Sequence, residues 1–199
     1  PHRFEVITKR GQCRAFGAVL ERKSPGVVLD ALGVLGARLR FLDQQEDAHW
    51  AQQLRWRNHN LVIYQFGANE SADGYAYPMP EYHKTMRAVL EQAKKALPES
   101  SCLVLGAMDR VRKEGTEIKT LSILGPLVAE QRAVAEECGC AFFDTRAAMG
   151  GPGSMLQWMY RGYGAGDLTH PTNVGAEVLG NWVYLALMSS FAQWQAAHP

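Results

Sequence analysis

The chain has 199 residues, 47% of them hydrophobic, with 21 basic and 20 acidic side chains and a formal net charge of +1. That length allows one sizeable core, as a single domain or one with an appendage, and charge this balanced gives no footprint for a polyanion, so nucleic acid is not an expected partner. The longest apolar stretch, near Val178 to Met188, is broken by Gly180 and Asn181 and is too short to span a bilayer, so no membrane span is expected.

The chain opens on Pro1-His2-Arg3-Phe4-Glu5 without a basic-then-apolar leader, which places any targeting signal outside these residues. Arg3 to Lys9 and Arg14 to Arg22 are two short runs rich in Phe, Val and Ile around Arg10-Gly11-Gln12, a hairpin-like arrangement. Ser24-Pro25-Gly26 breaks that pattern, and apolar strands then alternate with amphipathic helices. Strands are predicted at Val27 to Leu32, Leu61 to Phe66, Cys102 to Ala107 and Ala141 to Phe143. Helices are predicted over Ala37 to Arg57, Glu81 to Leu97, Leu121 to Glu137 and about Asn173 to Phe191. In the last of these Val174, Val178, Trp182, Leu185 and Met188 recur at steps of four or three, on one face expected to pack on the sheet.

This rhythm predicts an α/β fold of three layers (α/β/α) around a doubly wound parallel sheet, preceded by a short N-terminal β-hairpin. Residues 1–24 read as the tail of a separate or inserted β-domain and residues 25–199 as the α/β domain. Such sheets place chemistry in the loops leaving the carboxyl ends of their strands. Here those loops are Gly33 to Gly36, Gly67 to Asp73, Ala107 to Gly115 and Asp144 to His170.

Cys13, Cys102, Cys138 and Cys140 have neither the spacing of a metal site nor the density of a disulfide scaffold. All four read as structural, Cys102 as a small buried hydrophobe within Cys102-Leu-Val-Leu105, and Cys138 and Cys140 are the pair to watch for reactivity. His2, His49, His59, His83 and His198 are expected to face solvent.

The strongest local signal is Gly166-Asp167-Leu168-Thr169-His170-Pro171, just ahead of the final helix. An Asp and a His three apart in a tight turn can face one side, so the carboxylate can hold the ring's Nδ1 proton and leave Nε2 as a base. Read alone, the two residues could equally cap a surface helix. A second signal is the apolar strand Val62 to Phe66 running into Gly67-Ala68-Asn69-Glu70, where Asn69 can project its amide at the sheet's carboxyl edge toward a developing oxyanion, or serve the turn alone. A third is Leu32-Gly33-Val34-Leu35-Gly36-Ala37-Arg38, a Gly-x-x-Gly turn whose backbone donors suit an oxyanion or phosphate. It lacks the Gly-x-Gly-x-x-Gly fingerprint of dinucleotide sites, and no organic cofactor or metal is implied.

Together these elements have the order and strand-end placement of blocks II, III and V of the SGNH (GDSL-type) hydrolases, which the chain resembles from about Gly26 to Phe191. The resemblance implies that the Gly36 backbone N–H and the Asn69 side chain form an oxyanion hole, with Asp167 as orienting acid and His170 as general base. Phe143-Asp-Thr-Arg-Ala-Ala-Met149-Gly-Gly resembles a bacterial subgroup in which a β-sandwich is inserted between blocks I and II, similar in layout to O-acetyl-peptidoglycan esterases. On that resemblance the substrate is an acyl ester, with acetyl groups on carbohydrate or peptidoglycan the leading class, and the protein is extracytoplasmic.

The sequence departs from the family pattern twice. Glu70 stands where block III usually has Asp. The Gly-Asp-Ser of the block I nucleophile occurs nowhere, and none of the eight serines, Ser24, Ser71, Ser100, Ser101, Ser122, Ser154, Ser189 and Ser190, has that context. Ser154, in the Gly153-Ser154-Met155 loop, is a weak substitute. The resemblance therefore implies a serine esterase whose first strand and nucleophile are supplied by a preceding segment, which is then a partner of this chain. The other reading is a catalytically inactive module that binds glycan or protein. Trp158, Met159, Tyr160 and Tyr163 precede the Asp-His turn and suit either a sugar pocket or local packing.

Overall fold

Residues 3–15 and 17–198 are described by the structure, a computed structural model. The chain divides into two compact units, Pro1–Gly33 and Val34–Pro199. In chain order the elements are α1 (Arg40–Asp43), α2 (Asp47–Arg57), β1 (Leu61–Gln65), α3 (Ala68–Asp73), α4 (Met79–Ala96), β2 (Ser101–Leu105), β3 (Val111–Glu114), β4 (Glu117–Thr120), α5 (Leu124–Glu137), β5 (Ala141–Phe143), α6 (Thr145–Met149), α7 (Ser154–Tyr160) and α8 (Asn173–Ala197).

Three of the apolar runs pair in parallel in the order β1-β2-β5, with Val62 opposite Cys102, Tyr64 opposite Val104 and Leu103 opposite Ala141. Alternation along the strands sends Tyr64, Cys102 and Val104 to one face, where they meet Tyr82, Met86, Val89 and Leu90 of α4 and Leu124, Leu127 and Val134 of α5. Each Val, Leu or Met among them contributes about 1.5–3 kcal/mol on full burial, and this is the larger of the two apolar clusters. A smaller cluster of Met149, Met155, Trp158 and Leu179 binds α7 to the first half of α8. The mixed α/β architecture with a helix-flanked parallel sheet is the one the residue pattern predicts.

The carboxyl ends of β1 and β2 are locked by one buried amide. Gln131 Oε1 accepts from Ala107 N at 2.8 Å, while its Nε2 donates to Phe66 O at 3.0 Å and to the Tyr82 hydroxyl at 2.9 Å. Gly67 leaves β1 at φ +116°, and a Cβ there would stand 2.5 Å from Ala107 Cβ, so only glycine allows both the turn and the close approach.

The details correct several expectations. Among the described residues the antiparallel hairpin is β3–β4, turning at Gly115, and Arg3 to Lys9 and Arg14 to Arg22 carry no strand. Two strands alone are marginal, and Val6, Ile7, Val19 and Leu20 are all more than half exposed, so no packing rewards pairing there. Val27 to Leu32 likewise carries no strand, with Val27, Leu29 and Leu32 exposed. In the sheet β1 has β2 as its one strand neighbour among the described residues.

The helix expected over Ala37 to Arg57 breaks because Glu46 turns extended and caps α2, accepting from Ala48 N and His49 N at 3.0 and 2.6 Å. The loop Gly67 to Asp73 contains α3. Of the face expected on α8, Val178 and Trp182 pack on the smaller cluster beside Leu179, whereas Val174, Leu185 and Met188 are exposed.

Cys102 is more than a hydrophobe. The parallel register that sets Leu103 against Ala141 brings Cys102 opposite Cys140, their Cα atoms 4.8 Å apart, and the two form a disulfide. Cys138 is a buried free thiol whose pKa burial pushes up, and Cys13 is free and exposed. His83 is half-buried rather than solvent-facing, its ring between Glu130 at 2.5 Å and Glu137 at 3.2 Å, whereas His49 and His198 are exposed. His2 lies outside the described residues. No helix among the described residues is long and apolar enough to cross a membrane.

Candidate active site

The Asp-x-x-His turn is built from its own backbone. Leu168 adopts φ +60°, which folds the chain so that Asp167 Oδ1 accepts from both Thr169 N and His170 N at 2.9 Å. The other carboxylate oxygen, Oδ2, lies 2.6 Å from His170 Nδ1. These bonds hold the Asp167 carboxyl at about 2, the His170 backbone N–H contributing most and the ring next. A carboxylate ionised in this way keeps the proton on Nδ1 and leaves Nε2 as the basic nitrogen. The ring is 68% exposed, so that nitrogen is reachable from outside the fold.

Flanking segments secure this turn. Ala165 N donates to His170 O at 2.8 Å, Val111 N at the head of β3 donates to Leu168 O at 3.1 Å, and Gly164 bridges Pro171. Thr172 caps α8 through Gly175 N and its hydroxyl donates to Gly162 O at 2.7 Å. Gly175 approaches so closely that a Cβ would lie 2.0 Å from Tyr163 O.

The second half of the site joins the Gly36 turn to α3. Val34 O accepts from Ala37 N at 3.1 Å, closing a turn with Gly36 at φ +73°. Asn69 Nδ2 donates to Ala37 O at 2.8 Å, directly beside Gly36, and keeps its second amide hydrogen for another acceptor. Glu70, 3% exposed, accepts from Leu39 N at 2.7 Å and from Gly67 N at 3.0 Å. Asp73 takes the Arg38 guanidinium in a two-pronged bond at 2.7 and 2.8 Å. Three side chains of α3, those of Asn69, Glu70 and Asp73, therefore fix the segment that carries Gly36.

Thus Asp167 and His170 are brought together in one pair, and Gly36 and Asn69 in another. Arg110, which no sequence motif marked, is linked to both. Its Nη1 donates to Ala68 O at 2.8 Å and to Ser71 Oγ at 3.2 Å, and the charge of Asp167 acts on it. Asp109 beside it is fully buried, accepting from Arg146 Nε at 3.0 Å and from Met155 N at 3.1 Å. The signal that could have found both was a charged dipeptide leaving an apolar strand inside a loop already marked for chemistry. Ser154 opens α7 at 6% exposure, too buried to meet a substrate. Trp158 is buried and donates to Met149 O, so it is packing, whereas Tyr160 is 74% exposed. Among the described residues no group of three or more His, Cys, Asp or Glu side chains is arranged to hold a metal ion.

The model of the GDSL-like Lipase/Acylhydrolase family matches residues 6–178. The chain belongs to that family. No curated protein matches this GDSL-like chain in sequence. In structure it is similar to a peptidoglycan O-acetylesterase, with a TM-score of 0.76 at 24% identity over 82% of this chain and 46% of that one. It is also similar to Axe2, an acetylxylan esterase from Geobacillus stearothermophilus, at TM-score 0.54 and 21% identity over 73% of this chain and 65% of that one. A third similar structure is LAE5, an α/β hydrolase from the metagenome of Lake Arreo, Spain, at TM-score 0.53 and 20% identity over 76% of this chain and 67% of that one. The GDSL-like chain thus spans about half of the first of these structures and about two thirds of the other two, and likenesses at such identities establish its fold.

Proposed function

We propose that this chain is the acid-, base- and oxyanion-bearing part of a serine esterase that removes acyl groups, acetyl foremost, from carbohydrate or peptidoglycan. The observation that carries this reading is the 2.6 Å contact of Asp167 Oδ2 with His170 Nδ1, on a ring whose other side is open. In the reaction, His170 Nε2 takes the proton of a serine hydroxyl as its oxygen attacks the ester carbonyl, and later gives that proton to the leaving alkoxide. Asp167 holds the ring and balances its charge in between. The Gly36 N–H and the second Asn69 amide hydrogen donate to the tetrahedral oxyanion. Water, activated by the same ring, then hydrolyses the acyl-serine and releases the carboxylic acid.

The serine comes from polypeptide outside these 199 residues. The absence of a Gly-Asp-Ser here and the burial of Ser154 support this, as does the open edge of β1, where Leu61 and Ile63 are 37% and 43% exposed and the backbone can accept another strand. The Cys102–Cys140 disulfide supports an oxidising, extracytoplasmic location. The preference for acetyl esters of carbohydrate rests on the names of the similar structures. The test is hydrolysis of p-nitrophenyl acetate and of acetylated xylan and peptidoglycan by the full-length natural polypeptide and its His170→Ala variant. Turnover by the wild type and its loss in the variant are expected. Equal, negligible rates across all three substrates would leave a non-catalytic binding module as the better reading.

A further inference from the structure

The segment Asp109-Arg110-Val111 leads from the loop after β2 into β3 and bonds to both parts of the site. Val111 N holds the Asp167 turn through Leu168 O, and Asp109 anchors the segment from below through Arg146 and Met155 N. Arg110 reaches sideways to the first turn of α3, where its Nη1 bonds Ala68 O and Ser71 Oγ. Ser71 Oγ in turn donates to Ala68 O at 2.7 Å, so the guanidinium closes a small ring of bonds on the residue preceding Asn69.

We infer that Arg110 is a positioning residue that sets Asn69 and the Asp167–His170 pair at a fixed separation; this rests on the esterase reading for its effect on rate. The planar guanidinium suits the task because one nitrogen can hold two acceptors of α3 while its charge remains within the field of Asp167. A lysine offers a point charge without that fork. Arg110 Nε is buried and has no protein partner among the described residues, so neighbouring contacts hold the side chain in place at a desolvation cost that burial registers by pulling its pKa down. A group kept in that state by its surroundings has little freedom to let the two halves drift.

The test uses the full-length natural polypeptide with Arg110→Met, Arg110→Lys and Arg110→Ala, and with Arg112→Met on the exposed face of β3 as control. Arg110→Met and Arg110→Lys are expected to lower kcat for p-nitrophenyl acetate on the order of 10²-fold, the scale of a 1 Å misplacement, with KM within about twofold. Added guanidinium ion should restore part of the rate to Arg110→Ala and none to His170→Ala. In two-dimensional NMR, Arg110→Lys should move both the Asn69 side-chain amide signals and the His170 ring signals, and Arg112→Met neither.

Unchanged kcat in a folded Arg110→Lys protein, a loss confined to KM, or no guanidinium rescue would overturn the inference. If the wild type hydrolyses no ester, the proposed function fails by itself. The NMR arm then decides, since Arg110→Lys leaving either set of signals in place would overturn the positioning role in an inactive protein as well.

Discussion

Asp167 and His170 are joined twice over, by the 2.6 Å contact of carboxylate and ring and by a 2.9 Å bond from the His170 backbone N–H to the same carboxylate. The carboxylate therefore orients the ring and also builds the turn that presents it. Replacing Asp167 with Asn keeps the shape but not the charge, and a neutral partner can favour the wrong ring tautomer. On the proposed function, Asp167→Asn in the full-length natural polypeptide should lower kcat by about 10³-fold or more, with KM little changed, as read by steady-state ester hydrolysis.

The depressed Asp167 carboxyl also makes a statement about stability. Its value falls from an ordinary 3.8 to about 2 in the folded protein, so its contribution is fully present above about pH 4 and is lost as pH falls toward 2. Urea unfolding of wild type and Asp167→Asn should show a stability difference at pH 6 that shrinks between pH 4 and pH 2. A difference constant across that range would contradict the carboxylate's bonding.

Glu70 ties two backbone donors with one side chain. Glu70→Ala leaves the Leu39 and Gly67 N–H groups without an acceptor and should cost about 3 kcal/mol in chemical unfolding. Glu70→Asp, the residue usual in this family, is one methylene shorter and should be destabilising too unless the Gly36 turn moves in. This makes Glu70 a fitted departure from the family pattern.

Gly175→Ala would drive a methyl into Tyr163 O at the start of α8. Because the obstacle is backbone, the helix or the Asp167 turn must shift, and a loss of about 3 kcal/mol or more is expected in thermal or urea unfolding. Gly180→Ala, with nothing within 4 Å of the new carbon, should be neutral or slightly stabilising.

The Cys102–Cys140 disulfide spans 38 residues of sequence, and closing a loop of that size stabilises by about 2–4 kcal/mol. Reduction should lower the unfolding midpoint accordingly, and Cys102→Ala should abolish the response to reductant. An unchanged midpoint on reduction would show that the bond is absent or idle in solution.

Much of the architecture was legible because it depends on local pattern. Val62 to Phe66 and Cys102 to Leu105 are apolar runs too short for helices, and Tyr82, Met86, Val89, Leu90 and Ala93 repeat at helical spacing, so β1, β2 and α4 could be read directly. The Asp167–His170 pair was legible because three residues suffice to close it. Val27 to Leu32 has the composition of a strand, yet a strand needs a partner, and composition does not say whether one is present. The hairpin Val111 to Thr120 turns at Gly115, but its two strands carry one apolar residue each, Val111 and Ile118, so no apolar alternation marked it within a loop. The Cys102–Cys140 pairing and the contacts of Arg110 depend on register and on residues 38 to 42 positions away, which no local pattern carries.

The most direct test of the central claim is covalent labelling of the full-length natural polypeptide with a fluorophosphonate, followed by peptide mass spectrometry to locate the modified residue. The account predicts one labelled serine outside these 199 residues, with labelling lost in His170→Ala. Label on Ser154 or any other of the eight serines here, or equal labelling with and without His170, would contradict it.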